Sequence, residues 1–108
     1  MPTDDPTDTA HDGAGERTLR VEGVVDFLSA PDMQRSGVAV LTDPGVTALT
    51  IDLGGVTFID SSGLSVLVYL RGRCDERGVE LRLRNVPSRA RSLIDSLGLS
   101  TYFELPPT

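Results

Sequence analysis

The 108-residue sequence predicts one small α/β domain in which a mostly parallel sheet carries its helices on one face. Two observations predict this fold class. Segments with strand-like alternation and segments with helical spacing follow one another in turn, and this order indicates parallel strands joined by right-handed crossovers. The clearest strand, residues 79–84, has a charged side chain at every second position. A parallel sheet covered on both faces is apolar throughout, so the alternation predicts that its second face meets water or a partner.

The first elements follow from short-range signals. Leu19 to Val25 alternate as a strand, and Gly23 marks a bend within it. The residues Ser29-Ala30-Pro31-Asp32 predict a helix start, in which Ser29 is able to cap, and the turn Asp43-Pro44-Gly45 predicts its end.

The central strand is predicted over Val46–Leu53, where Gly54-Gly55 breaks the apolar run before it resumes at Val56–Ile59. The second helix is predicted over 62–77, with Gly78 as its C-cap. Its predicted inner stripe consists of Val66, Leu67, Leu70 and Cys74.

The last part of the chain predicts a strand over 79–84, a helix that Pro87 opens and Gly98 ends, and a short final strand over Thr101–Leu105. The buried stripe predicted for that helix consists of Ala90, Leu93, Ile94 and Leu97.

Charge and composition divide the chain into two parts. Of the net charge of −6, residues 1–17 contribute −4 (five acids, one arginine) and the remainder contributes −2 (eleven acids, nine arginines). The first part has very few apolar residues, so we predict a disordered acidic tail over 1–17 and a folded domain over 18–108. A nearly balanced domain has no strongly basic face, so direct binding of nucleic acid is not expected.

Several classes of function are disfavoured by what the sequence does not contain. No run approaches the roughly 20 apolar residues of a membrane span, and no leader segment is visible. The single cysteine, Cys74, has no partner for an internal disulfide, so a cytoplasmic location is the simplest inference. Phosphate-binding loops, dinucleotide fingerprints and metal-ligand spacings are also absent, so no cofactor or metal is expected.

The stretch FIDSSGL, residues 58–64, is the strongest candidate site. Asp60-Ser61-Ser62-Gly63 lies between the predicted central strand and the helix that follows. Asp60 or Ser61 could simply cap that helix. Alternatively, an exposed serine at the carboxyl end of a central strand is placed where α/β sheets hold ligands, and a phosphate there would add about −1.5 to −2 charges near the positive helix end. The residues alone leave both interpretations open.

A nucleophilic serine enzyme is the rival interpretation of the same motif. Such an enzyme needs a base beside the serine. The only histidine, His11, lies in the predicted tail, the chain has no lysine, and the G-x-S-x-G elbow is absent. The sequence therefore does not predict an enzyme.

Three segments together resemble the STAS domain of bacterial anti-sigma factor antagonists. They are RVEGVVD at 20–26, VTALTIDLGGVTFIDSSGLSVLVYL at 46–70 and NVPSRARSLIDSLGL at 85–99. The resemblance covers residues 19–105. It departs from the family in two respects: no apolar alternation marks the usual first strand, and the usual last helix has no counterpart. A missing first strand would leave a sheet edge open, so we expect a monomer or a weak dimer.

The resemblance implies a partner-switching role. Such proteins bind an anti-sigma factor that is also a serine kinase, which releases a sigma factor; phosphorylation with ATP ends the binding, and a serine phosphatase restores it. Carried over, Ser61 is the phosphoacceptor and Ser62 the second choice. Asp60 would help shape the site and interact with the kinase, Asp26 would lie near it, and Gly63 would allow close approach at the helix start.

Two further residues are candidates for binding the partner. Leu64 and Val68 fall beside the predicted inner stripe of the second helix, and the hypothesis is that they are partly exposed and dock the kinase. The competing interpretation is that they widen the core-facing stripe.

The alternative function is a STAS docking subunit of a stress-signalling scaffold or a lipid-transport complex, without phospho-switching. A small-ligand binder that uses the open sheet face has no motif to support it.

Overall fold

The computed structural model describes residues 7–106 and shows a four-stranded sheet with three helices. The elements are β1 Thr7–Gly13, β2 Glu16–Val25, α1 Ala30–Leu41, β3 Ala48–Ile59, α2 Ser61–Arg77, β4 Glu80–Arg84 and α3 Ser88–Ser96. The strand order is β1-β2-β3-β4, and both β2–β3 and β3–β4 are parallel. The predicted fold class, a small and mostly parallel α/β domain, is confirmed.

The prediction of a disordered tail over 1–17 is wrong for the residues that the structure describes. Strand β1 pairs antiparallel with β2, and Gly15 takes a positive φ of 84° at the turn between them. Residues 1–6 lie outside the described residues. The strand has almost no apolar side chains, so composition gave no sign of it.

Backbone pairing and a few polar contacts hold β1 in place instead. The Thr7 and Ser36 hydroxyls are 2.6 Å apart, which joins β1 to α1, and Asp8 forms an ion pair with Arg20 of β2 at 3.9 Å. The first strand expected of the family is therefore present, and it covers the β2 edge that we expected to be open.

Strand β3 forms the centre of the core. Leu49, Ile51 and Leu53 are fully buried on the face that the helices cover. On the opposite face Ala48 and Thr50 are buried as well, so this face is not open at its centre. Most of their partners in the neighbouring strands carry long charged side chains, and such side chains can shield small residues from water. Ala48 pairs with Glu16 and Glu80, and Thr50 pairs with Arg82 and with Thr18, which is also buried.

The sequence had indicated that the Gly54-Gly55 pair interrupts the central strand, but the strand continues through both glycines. β3 continues to Ile59, and its register with β2 shifts once near these glycines and again after Gly23. Gly23 has a φ of 78°, which confirms the predicted bend. The glycines therefore produce a local irregularity in the pairing of β2 with β3, and the pairing continues beyond it.

Helix α2 agrees closely with its prediction. It begins at Ser61, one residue earlier than expected, and ends at Arg77 before the predicted C-cap Gly78, whose φ of 68° is left-handed. The predicted inner stripe is buried throughout. α2 crosses α1 where Gly37 meets Leu70: a Cβ added to Gly37 would come within 2.7 Å of both Leu70 δ-methyl groups.

The C-terminal segment differs from its prediction. Residues 101–104 form turns rather than a strand, and Phe103 is buried. Arg71 of α2 stacks 5.0 Å from the centre of the Tyr102 ring and donates to the Tyr102 carbonyl, which binds the segment to α2 rather than to the sheet. Leu97, predicted to be buried, is 55 % exposed because α3 ends at Ser96 and the chain turns away there.

Candidate functional site

Asp60 is the N-cap of α2. Its backbone is extended, and its Oδ1 accepts hydrogen bonds from the backbone N–H groups of Ser62 at 2.8 Å and Gly63 at 3.4 Å. Its own backbone N–H donates to the carbonyl of Val25 at 3.2 Å. The capping interpretation is confirmed for Asp60, and the same residue bonds the start of α2 to the end of β2.

Ser61 and Ser62 differ in accessibility. Ser61 is the first residue of α2 and is exposed, whereas Ser62 is half-buried. Within the part of the chain that the structure describes, the Ser61 hydroxyl makes no hydrogen bond, and the Ser61 carbonyl accepts one from the Ser65 hydroxyl at 2.8 Å. The accessible hydroxyl of the motif is that of Ser61.

Gly63 is where α2 passes closest to the sheet. A Cβ added there would lie 2.7 Å from Cγ1 of Val25 and 2.7 Å from Cγ1 of Ile59. Any side chain would therefore push the helix start away from the ends of β2 and β3. Because Gly63 is buried, it cannot contact a partner directly. Its role in the site is to let the start of α2 pack closely against β2 and β3.

Leu64 is 3 % exposed, so the hypothesis that it is a partly exposed docking residue is wrong. It lies one turn after Asp60, whose carbonyl accepts its N–H, and points into the core with the inner stripe. Val68 is half-buried and packs against the same core. α2 therefore buries a wide stripe, because both the sheet and α1 pack against it.

Asp26 lies in the loop between β2 and α1, directly after the residue that bonds to Asp60. Its Oδ1 accepts from the backbone N–H groups of Leu28 at 3.0 Å and Ser29 at 3.2 Å. The Ser29 hydroxyl donates to the carbonyl of Val24 at 2.7 Å and accepts from the Asp26 N–H at 3.1 Å. Ser29 therefore closes this loop and makes no side-chain cap on α1, contrary to its predicted role.

A surface groove of about 600 Å³ runs between α1 and α2 and begins at the serine motif. Its lining includes Phe27, Arg35, Val38, Ser62 and Tyr69. We did not identify Phe27, Leu28 or Tyr69 as surface residues from the sequence. The only signal was that Phe27 and Leu28 fall between two predicted elements, where apolar side chains have no assigned place in the core.

Other reactive groups take no part in this site. Burial raises the pKa of the Cys74 thiol to about 11, so it stays protonated and unreactive near neutral pH. Among residues 7–106, no cluster of His, Cys, Asp and Glu is suited to a metal ion. None of the helices described has the length and apolar character needed to cross a bilayer.

Comparison with known proteins agrees with this geometry. The STAS domain family model matches residues 6–108. An anti-sigma-B factor antagonist of Bacillus subtilis is 31 % identical over 87 residues, which cover 81 % of this chain and 78 % of that protein.

Two solved structures share the fold. The anti-sigma factor antagonist from Mycobacterium paratuberculosis has a TM-score of 0.75 and 31 % identity, over 100 % of this chain and 92 % of that one. The Bacillus cell fate determinant SpoIIAA in its phosphorylated form has a TM-score of 0.73 and 16 % identity, over 89 % and 86 % of the two chains. On the strength of the family match along nearly its whole length, this chain belongs to the STAS domain family.

Proposed function

We propose that this protein is an anti-sigma factor antagonist, which binds an anti-sigma factor with serine kinase activity and so releases a sigma factor. The protein is the substrate of that kinase and not itself an enzyme. The observation that carries the proposal is the exposed Ser61 hydroxyl at the first residue of α2, beside the Asp60 cap. The names of the relatives that are 31 % identical support the same function.

The proposed switch is phosphorylation of Ser61. A phosphate there would add about −1.5 to −2 charges and three strong acceptor oxygens to a small surface. The first turn of α2 carries no acidic side chain, so the positive end of the helix favours the phosphate and offsets part of its repulsion from the Asp60 carboxylate at the N-cap. We expect phosphorylation to weaken partner binding, because the partner would meet a new negative charge next to the Asp60 carboxylate.

Ser61 is preferred to Ser62 as the phosphoacceptor because a kinase needs an accessible hydroxyl. Ser62 is half-buried at the end of the groove, where a phosphate would press against α1. A serine phosphatase would reverse the modification. Because the reaction consumes ATP, we infer a cytoplasmic location.

We infer a monomer or a weak dimer with no direct contact to nucleic acid. The two edge strands of the sheet are β1, which is seven residues long and polar, and β4, which is five residues long and carries Glu80, Arg82 and Arg84. A short charged edge discourages pairing with another chain.

The test is to mix the protein with candidate anti-sigma kinases and ATP, and to measure complex formation, intact mass and the modified residue. We expect one phosphate on Ser61 and loss of the complex. Ser61→Ala should bind and stay unmodified, whereas Ser65→Ala, an exposed serine one turn later, should behave as wild type. A kinase that binds without modifying the protein would favour the docking-subunit alternative, and binding to no candidate would overturn the antagonist role.

A further inference from the structure

Exposed apolar side chains concentrate around the start of α2. Among residues 7–106 the large apolar side chains with high exposure are Val24, Phe27, Leu28, Phe58, Tyr69 and Leu97. Of these, Val24 and Phe58 are cross-strand partners near the ends of β2 and β3, and Phe27 shares the groove with Tyr69 and Ser62. Apolar groups gathered on one part of a surface indicate an interaction site.

Phe27 and Leu28 are the most exposed of this set, at 70 % and 74 %. They lie in the loop that the side chains of Asp26 and Ser29 close. Among the residues that the structure describes, the Asp26 carboxylate accepts hydrogen bonds only within its own loop, from the N–H groups of Leu28 and Ser29 and from the Ser29 hydroxyl at 3.4 Å. The loop backbone is thus fixed while its two apolar side chains remain in solvent.

The position of the loop indicates what covers it. A protein that phosphorylates Ser61 must place its active site over that residue. A typical interface buries about 800 Å² per partner, which corresponds to a patch about 16 Å in radius. Phe27 lines the same groove as Ser62, the neighbour of Ser61, so it falls inside such a patch. Large apolar side chains on a fixed backbone bind at low entropic cost, and aromatic side chains often dominate interfaces.

We propose that Phe27 and Leu28 are the apolar anchors for the anti-sigma kinase, and that Asp26 is a positioning residue that holds them in place through its loop. This inference rests on the proposed function. It assigns Asp26 no direct charge contact with the partner. Binding strength therefore depends on the acceptor oxygen of residue 26 and not on its negative charge.

The anchors are tested by measuring the Kd of the unphosphorylated protein for the kinase that modifies it. Phe27→Ala and Leu28→Ala should each weaken binding about tenfold or more, with Tm unchanged. Leu97→Ala is the matched control, an exposed leucine directly after the end of α3 and outside the groove, and it should bind as wild type. Wild-type affinity in both anchor variants would overturn this inference, while phosphorylation of Ser61 would still support the proposed function.

The role of Asp26 is tested by comparing two substitutions. Asp26→Asn keeps an acceptor oxygen for the Leu28 and Ser29 N–H groups, so binding should stay within about threefold of wild type. Asp26→Ala should weaken binding about tenfold and speed hydrogen exchange at those two amides by a similar factor. Equal loss of binding in both variants would overturn the positioning role, because it would show that the charge is needed. If the wild type binds no anti-sigma kinase, the proposed function and this inference both fail.

Discussion

The Asp60 carboxylate accepts the backbone N–H of Ser62 at 2.8 Å, across the exposed residue Ser61 that lies between them in sequence. The residue that caps α2 and the residue proposed as the switch are therefore different. Because the Asp60 carboxylate already caps the helix, the Ser61 side chain is not needed as a cap. Its hydroxyl can be modified without removing a hydrogen bond of the fold.

Removal of this cap should destabilise the domain. Asp60→Ala leaves the N–H groups of Ser62 and Gly63 without their acceptor, and we expect a loss of about 1 kcal/mol in the free energy of unfolding. Asp60→Asn should lose less, since asparagine also caps well. Urea unfolding monitored by circular dichroism measures both. Equal stability of Asp60→Ala and wild type would show that the cap contributes nothing.

Substitution of Gly63 should be costly, and Gly72 provides a control on the same helix. Gly63→Ala would place a methyl group 2.7 Å from Val25 and Ile59, and we expect a loss of about 1–3 kcal/mol in stability. Gly72 has open space at the Cβ position, so Gly72→Ala should stabilise α2 by up to about 1 kcal/mol. Thermal unfolding of the two variants gives the comparison; a similar effect of both would contradict the close contact at Gly63.

The contact between α1 and α2 predicts coupling between Gly37 and Leu70. Gly37→Ala would press on the δ-methyl groups of Leu70, and we expect a loss of about 1–3 kcal/mol. Leu70→Ala alone should cost about 2–5 kcal/mol, because it leaves a cavity in the core. The double variant should lose less stability than the sum of the two single losses, because Leu70→Ala removes the methyl groups with which the new Cβ at position 37 would clash. A double-mutant cycle in urea measures the coupling, and strict additivity would contradict it.

The buried thiol of Cys74 predicts a loss of stability in alkali. Its pKa is raised to about 11 in the folded protein from an ordinary value of 9.0, because burial disfavours the thiolate. The unfolded chain therefore loses this proton first. The contribution of Cys74 to stability is complete below pH 9 and is lost as the pH rises to about 11.

The measurement is the free energy of unfolding at several pH values from 8 to about 11.5, with Cys74→Ala as the reference. Both proteins share the titration of their tyrosines and arginines, so the difference between them isolates the thiol. Parallel pH curves for the two proteins would rule out a raised pKa at Cys74.

The sequence alone determined those features that depend on neighbouring residues. The position of α2, its glycine C-cap and its buried stripe were all evident, because capping and helical spacing act within a few residues. The Asp60-Ser61 motif was identified for the same reason. Its place at the end of the central strand followed from the order of strands and helices.

Only the tertiary structure decided how distant segments meet. Strand β1 is polar and forms because β2 offers a hydrogen-bonding edge to it, which its own composition does not reveal. Leu64 is buried because α1 and the sheet both pack against α2, so the width of its apolar stripe alone could not separate core from surface. The conformation of the loop from Asp26 to Ser29 could not be predicted from the sequence either. The exposure of Phe27 and Leu28 depends on hydrogen bonds that form only once the end of β2 and the start of α1 have been brought together.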